Sequence, residues 1–445
     1  MKKIIVATFF LLLFGNLSFA QNRFVIQNKK QTDKIRFKLI NNLIVIPVEV
    51  NGVTLSFILD TGVSKPIIFN FLNISDTLKI KDTERMSLMG LGEGDSIQVH
   101  KSKNNVFKIG EAVKLNQDVY AVIDSNLNLA PRLGVSVHGI LGFDLFKDLV
   151  VEINYSRQYV RLTEPEAYEY KVCRNCERLN IEFYNSKPYV NAKVKINKKT
   201  IPVTLLVDSG GSDALWLFED ETLGINSGDV FFEDFLGHGL NGSVYGKRAK
   251  IERFALNNYV FKDINVAYPD SAYIKFARMF KGRNGSIGGS VLKRFNTTID
   301  YRNALITLKK NASFKDKFSH NKSGIELAHK GVHIVKEVKY NKETVKANSD
   351  DNSYYSIVDF KKNYNIVLKP SYVVAELRKG SPADRAGVKK GDVVLAINGK
   401  RAYELPLQEL IHMFYDEDGK RIKLKIVRGG IETLVFSFQL ENPFK

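Results

Sequence analysis

Between residues 34 and 310, apolar and polar positions alternate over short runs rich in β-branched and aromatic side chains, with Gly, Asn and Asp at the breaks. A period of two predicts short strands almost throughout, with brief helical stretches such as Tyr273 to Phe280. The pattern then repeats. Val48-Glu-Val-Asn-Gly-Val-Thr-Leu-Ser-Phe-Ile-Leu-Asp60-Thr-Gly62 is answered by Val194-Lys-Ile-Asn-Lys-Lys-Thr-Ile-Pro-Val-Thr-Leu-Leu-Val-Asp208-Ser-Gly210. Each copy reads as strand, polar turn, strand and an Asp-Thr/Ser-Gly turn. Farther along, Gly90-Leu-Gly-Glu-Gly94 is matched by Gly237-His-Gly-Leu-Asn-Gly242, and Gly139-Ile-Leu-Gly142 by Ser286-Ile-Gly-Gly289. Val150–Asn154 with Tyr159–Leu162, and Thr297–Asp300 with Leu305–Leu308, are expected to close the two copies as strand pairs. The copies lie 148 residues apart (208 minus 60), far beyond solenoid periods and right for two globular lobes in tandem.

Past the polar stretch Asn311 to Lys322 the pattern changes. Gly380-Ser-Pro-Ala, Ala386-Gly387, Gly391-Asp392 and Ile397-Asn-Gly399 follow in order. Leu407, Leu410, Ile411 and Phe414 then recur at helical spacing, which predicts an amphipathic helix over 406–416. A polar insertion, roughly Tyr340 to Tyr354, interrupts this region.

The first twenty residues differ from the rest: Lys2 and Lys3 precede an apolar run from Ile4 to Phe14, then Ser18-Phe19-Ala20. This is the layout of a secretory signal peptide cleaved after Ala20, and the run is short for a membrane span. Export to a periplasmic or extracellular location is expected. The only cysteines, Cys173 and Cys176, are spaced for a small local disulfide in that compartment, whereas the ligand set of a zinc site is missing around them. Without the first twenty residues, 64 Lys and Arg (66 minus 2) stand against 48 Asp and Glu, a charge of +16. The basic residues are dispersed without an aromatic-basic recognition motif, which argues against a nucleic-acid partner.

Candidate chemistry centres on the duplicated turns. A lone Asp-Thr-Gly is weak, since such turns commonly satisfy their own backbone donors. Two of them at matched places in a duplicated lobe mean more: brought together across a pseudo-twofold axis they would set Asp60 beside Asp208. Two carboxylates that close share one proton, so one can act as general base on water while the other acts as general acid. Thr61 and Ser209 can brace the turns, and Gly62 and Gly210 let the backbones approach. No Gly-x-Ser-x-Gly elbow, His-Glu-x-x-His pair or phosphate-binding Gly-Lys-Ser/Thr loop is present, and the seven histidines are dispersed.

With these motifs in place, residues 34–310 resemble the retropepsin-like and pepsin-like aspartyl protease family in its single-chain, two-lobe form, and the C-terminal region resembles a bacterial PDZ domain. The resemblance implies a mainly β protein: two tandem homologous aspartic-protease-type β-barrel lobes over 21–165 and 166–310, then a PDZ domain over 323–445. It implies that Asp60 and Asp208 are catalytic, with Ile140-Leu141-Gly142 and Ile287-Gly288-Gly289 behind them. Gly288 stands where that element is normally apolar. Gly90, Gly92, Gly94, Gly237, Gly239 and Gly242 fall where the family has its flap hairpin. In the PDZ region, Ser323-Gly324 is a candidate carboxylate loop. Ile325, Leu327, Leu407, Leu410 and Ile411 are candidates for a peptide groove that adds a ligand as a strand. The expected activity is exported aspartic endopeptidase acting on polypeptides, without metal or cofactor and with no need to dimerise. The rival is a non-catalytic scaffold that holds peptides in the same grooves.

Overall fold

A computed structural model describes residues 22–69, 78–80, 83–94, 96–122, 129–348 and 354–444, with backbone alone for 339–348 and 354–363. The expected signal peptide, residues 1–20, lies outside the described residues. The chain divides into two compact units, one of residues 1–322 with 442–445 and one of residues 323–441.

In the first lobe the strands are β1 (Leu43–Val50), β2 (Val53–Leu59), β3 (Ile67–Ile68), β4 (Thr83–Leu88), β5 (Ile97–Ile109), β6 (Ala112–Val122) and β7 (Gly139–Leu141). The second lobe has β8 (Lys187–Ile196), β9 (Lys199–Val207), β10 (Leu215–Leu217), β11 (Phe231–Gly239), β12 (Gly242–Leu256), β13 (Tyr259–Pro269) and β14 (Gly285–Ile287). Each second-lobe strand is the counterpart of the one numbered seven lower. In lobe one the pairing runs β1-β2-β7-β3-β6-β5 and returns to β1; in lobe two β8-β9-β14-β10-β13-β12 returns to β8. Both are ring-closed mixed sheets in which β2 and β9 run parallel to β7 and β14. The alternation that marks β1, β2 and β9 as strands turns one face of each inward: Val48 and Val50, Leu55 and Phe57, and Ile201, Val203 and Leu205 are buried.

The closing strand pairs form as expected, and they also join each other. Val150–Asn154 pairs with Tyr159–Thr163 and also with Phe295–Asp300, which pairs with Leu305–Lys310. With Thr32–Arg36 and Cys176–Asn180 at the edges, they form one six-stranded sheet shared by the two lobes. Val151, Ile153, Ile299 and Ile306 accordingly join a single apolar core that also holds Phe57 and Leu205. A shared core of this kind resists relative rotation of the lobes, which fixes the spacing of whatever they hold between them. The Cys173–Cys176 disulfide closes a small loop at the start of the Cys176–Asn180 edge strand. The Tyr273–Phe280 stretch forms short 3-10 turns at Ser271–Ile274 and Ala277–Met279.

The second unit is an antiparallel sheet of β15 (Ile325–Asn348), β16 (Tyr354–Leu377), β17 (Val393–Ile397), β18 (Arg421–Arg428) and β19 (Glu432–Gln439), with Lys400–Arg401 paired to β17. Helix α1 (Leu407–His412) and the 3-10 turn Met413–Tyr415 occupy the segment expected to be helical. The polar insertion is not a break in the sheet. It extends β15 and β16 into one hairpin whose pairing continues from Ile325↔Leu377 to Asn348↔Tyr354.

Candidate active site

Strands β2 and β9 end at the two Asp-Thr/Ser-Gly turns, and the turns interlock. Thr61 Oγ1 donates to Val207 O at 2.6 Å and accepts from Ser209 N at 3.0 Å. Reciprocally, Ser209 Oγ donates to Leu59 O at 2.8 Å and accepts from Thr61 N at 3.0 Å. Both hydroxyl residues are buried, so each bond replaces one that water cannot supply. This lattice ties the end of one lobe's strand to the other's, and the carboxylates follow from it.

Gly62 N–H donates to Asp60 Oδ1 at 2.6 Å and Gly210 N–H to Asp208 Oδ1 at 3.1 Å, which aims both carboxyl groups to the pseudo-twofold axis, where Asp60 and Asp208 lie side by side. Glycine leaves the room this approach needs, most strictly at Gly210. A Cβ at Gly210 would sit 2.2 Å from Asp60 Cγ, and one at Gly62 would sit 3.0 Å from Asp208 Oδ1. Burial first, and then the adjacent Asp208 carboxyl, push the Asp60 carboxyl up to about 7; the Gly62 N–H and the Lys187 ammonium oppose the rise. The pair therefore retains a proton well above the ordinary carboxylate range.

Behind each turn, Asp60 N donates to Leu141 O and Asp208 N to Ile287 O. Phe143 N reaches Val63 O, three residues after Asp60, as Gly289 N reaches Gly211 O, three after Asp208. The counterpart of Ile140-Leu141-Gly142 is thus Ser286-Ile287-Gly288, one residue earlier than the letters suggest. Gly288 is the glycine of the element rather than a defect in it: a Cβ there would meet Asp213 O at 2.3 Å, as one at Gly142 would meet Asp60 O at 2.1 Å.

The six candidate flap glycines lie on two hairpins whose tips touch. Gly90, Gly92 and Gly94 lie between β4 and β5, Gly237 and Gly239 in β11, and Gly242 at the start of β12. Asn241 joins the tips: its Oδ1 accepts from Gly90 N at 2.8 Å, its backbone O from Gly94 N at 2.8 Å, and its N donates to Leu91 O at 2.9 Å. A Cβ at Gly239 would lie 2.1 Å from Leu91 O, so this approach also depends on glycine.

Three groups that the motifs did not single out complete the surroundings. Lys187 and Arg283 are cations whose carboxylate neighbours belong to the dyad, and Tyr189 hydrogen-bonds Arg283. Burial and Arg283 lower the pKa of Lys187, against the pull of Asp60 and Asp208; burial likewise lowers that of Arg283. A position-by-position comparison of the two repeats carries the signal for both, because their lobe-one counterparts are apolar. Among the described residues no cluster of three or more His, Cys, Asp and Glu side chains is arranged to hold a metal.

In the second unit, Ile325, Leu327, Leu407 and Leu410 are core residues and Ile411 is half-buried. β15 is an edge strand, paired on one side only by β16. Ser323 Oγ accepts from Ile325 N at 3.0 Å, and Gly324 takes φ +83°.

Residues 46–145 match the aspartyl protease family and residues 373–428 match the PDZ domain family. Among curated proteins, the chain is 37% identical over 76 residues to a probable periplasmic serine endoprotease DegP-like of Hahella chejuensis, covering 17% of this chain and 16% of that protein. It is 31% identical over 64 residues to the carboxy-terminal processing protease CtpA of Bacillus subtilis, covering 14% of each. The chain thus spans only about a sixth of the length of these relatives. No helix among the described residues is long and apolar enough to cross a membrane. The chain contains an aspartyl protease domain over residues 46–145 and a C-terminal PDZ domain over residues 373–428.

Proposed function

We propose that this protein is an exported aspartic endopeptidase in which Asp60 and Asp208 form one catalytic dyad and the PDZ domain binds a peptide segment of the substrate or of a partner. The single observation that carries the reading is the pair of adjacent carboxyl groups, set side by side by reciprocal Thr61 and Ser209 bonds in a place where burial and the second carboxyl favour keeping one proton. Domain boundaries at 21–165, 166–310 and 323–445 go with it.

In this mechanism the ionised carboxylate takes a proton from a water lying between the two groups as the water oxygen bonds to the scissile carbonyl carbon. The protonated carboxyl donates to the carbonyl oxygen, giving a neutral gem-diol. Collapse breaks the C–N bond, with a dyad proton passing to the departing amine. The cycle returns the dyad to its singly protonated state, so protons balance without metal or cofactor. The hairpin tips joined through Asn241 would cover the bound chain and exclude water. Both half-sites lie in one chain, so dimerisation is not required. The PDZ domain would add a peptide strand along the outer edge of β15, beside α1. The serine endoprotease activity in the name of the Hahella chejuensis relative is not carried over to this chain, whereas the periplasmic location in that name agrees with export.

The test is cleavage of a diverse peptide pool by the purified protein across acidic and neutral pH, read by mass spectrometry. Asp60→Asn and Asp208→Asn should each lower turnover by several orders of magnitude, and the double variant should be scarcely worse, since either loss stops the shared proton cycle. Cleavage by both variants at the parental rate would refute the dyad. Peptide binding without cleavage by the parent would favour the scaffold reading.

A further inference from the structure

The dyad is symmetric, but its walls are not. Continuing the β8–β9 register two places beyond Tyr189↔Leu206 sets Lys187 opposite Asp208. The same two steps beyond Val45↔Ile58 set Leu43 opposite Asp60. A second pair is related in the same way. Gly285 pairs with Leu205 as Gly139 pairs with Phe57, so Arg283 holds the place of Val137. The residue between confirms this equivalence: Asn284 N donates to Thr204 O while its Oδ1 accepts from Thr204 N, just as His138 N donates to Ser56 O while its Nδ1 accepts from Ser56 N.

Lobe one therefore presents Leu43 and Val137, members of one apolar cluster, where lobe two presents two cations. The cations are built into the wall. The Lys187 ammonium lies 5.5 Å from the Phe276 ring centroid, and the Arg283 guanidinium 5.2 Å from that of Phe218. Arg283 is buried, its Nε donating to Gly285 O at 3.1 Å. Among the described residues neither cation forms a salt bridge, and the carboxylates that act on them are those of the dyad. A dyad with one proton carries a single negative charge, against two positive charges. One positive charge is left over in a site largely withdrawn from water, an arrangement that is costly unless a ligand completes it.

We propose that Lys187 and Arg283 form a carboxylate-binding subsite on the second-lobe side of the dyad, which selects peptides that place an acidic side chain or a terminal carboxylate there. The proposal rests on the dyad reading and names the substrate class for it. Arg283 supplies a planar fork of donors and Lys187 a mobile point charge, while the Leu43 and Val137 wall offers the other side of the scissile bond an apolar surface.

The experiment uses the full chain and peptides matched except for Glu or Gln at positions flanking the cut, each with a free or an amidated C-terminus. A carboxylate at the favoured position should raise kcat/KM by about tenfold or more. Preference for Glu in amidated peptides identifies a side-chain carboxylate; preference for the free terminus in Gln peptides identifies the terminal one. Lys187→Met should bring the ratio within about twofold, and Lys187→Arg should keep it. The proposal is overturned if the parent cuts all four peptides equally, or if Lys187→Met slows cleavage while the ratio stays unchanged, which is the behaviour of a residue that only tunes the dyad. If the parent cuts nothing, the endopeptidase reading falls, and fluorescence anisotropy of the same peptides then decides the subsite separately. Tighter binding of the carboxylate peptides, lost in Lys187→Met, upholds it, and equal binding ends it.

Discussion

A buried, proton-sharing dyad should weaken the fold as pH rises, and Asp60→Asn should relieve that weakness. The folded carboxyl of Asp60 titrates near 7 against its ordinary 3.8. Below 3.8 both folded and unfolded chains hold the proton and no difference arises. Between the two values the folded chain retains a proton that the unfolded chain has lost, so stability falls as pH climbs, and above about 7 the full cost is present. At about 1.4 kcal/mol per pH unit, that interval corresponds to about 4 kcal/mol as an upper bound, and about 2 kcal/mol after allowance for relaxation around the ionised pair. Asn keeps the acceptor for the Gly62 N–H and offers Asp208 an amide donor, but it cannot ionise.

The measurement is urea unfolding from pH 3.5 to 8, followed by the fluorescence of Trp216, the chain's single tryptophan. It sits in β10 with its Nε1 bonded to Asp213 at 2.8 Å, and therefore reports on the protease unit. Burial also raises Asp148 and Asp270 and lowers His138, but these groups are common to both proteins and cancel in the difference. Asp60→Asn should gain about 2–4 kcal/mol relative to the parent between pH 4 and pH 8. A difference that stays constant to within about 0.5 kcal/mol over that range would show that the carboxyl groups do not share a proton, and the electrostatic basis of the dyad would fail with it.

The same proton sets the pH dependence of activity: kcat/KM for an uncharged peptide should fall above about pH 7, and Lys187→Met should move that limb upward, because the ammonium it removes holds Asp60 down. Ser209→Ala leaves Leu59 O and Thr61 N without their partner in a buried place, so thermal or urea unfolding should show a loss of about 2–4 kcal/mol. Asn241→Ala cuts the side-chain link between the hairpin tips; amide exchange at Gly90 should quicken and KM should rise several-fold, with global stability changed by no more than about 1 kcal/mol. Intact-mass analysis after alkylation without reductant should find Cys173 and Cys176 unlabelled, and their reduction should cost little stability because the ring they close is small.

The legible part of this protein is the part written in local constraints. Apolar strands delivering Asp-Thr/Ser-Gly to a turn need particular residues at particular places, so Asp60, Thr61, Gly62 and their partners could be read from letters alone, as could the period of the helix at Leu407. Partner choice between distant strands leaves no such mark. Val150–Asn154 and Phe295–Asp300 each read as strands, but nothing in either segment says that they pair with each other. Adjacent glycines defeat alignment for a related reason: Gly288 and Gly289 are interchangeable as letters, and only the hydrogen bonds from Asp208 N and Gly289 N decide which one stands for Gly142. The Lys- and Asn-rich stretch around residue 340 reads as an insertion, because the strand signal is weak where few positions are apolar, although its backbone continues the hairpin.

Lys187 and Arg283 leave no local mark for a different reason: a lone charge in a strand or before one ordinarily marks a solvated face. What makes them conspicuous is the partner copy. When two identical subunits build a site, each replacement appears twice, and a cation beside one aspartate forces another beside its mate. With both halves in one chain, Leu43 can remain apolar while its counterpart is a lysine, and Val137 while its counterpart is an arginine. Residues that the reaction requires of both halves stay matched, as Asp60 with Asp208 and Thr61 with Ser209. Positions that meet different parts of an extended, directional peptide are free to diverge, so the places where the two copies disagree beside an otherwise matched dyad are the places where direction and sequence of the bound chain can be distinguished.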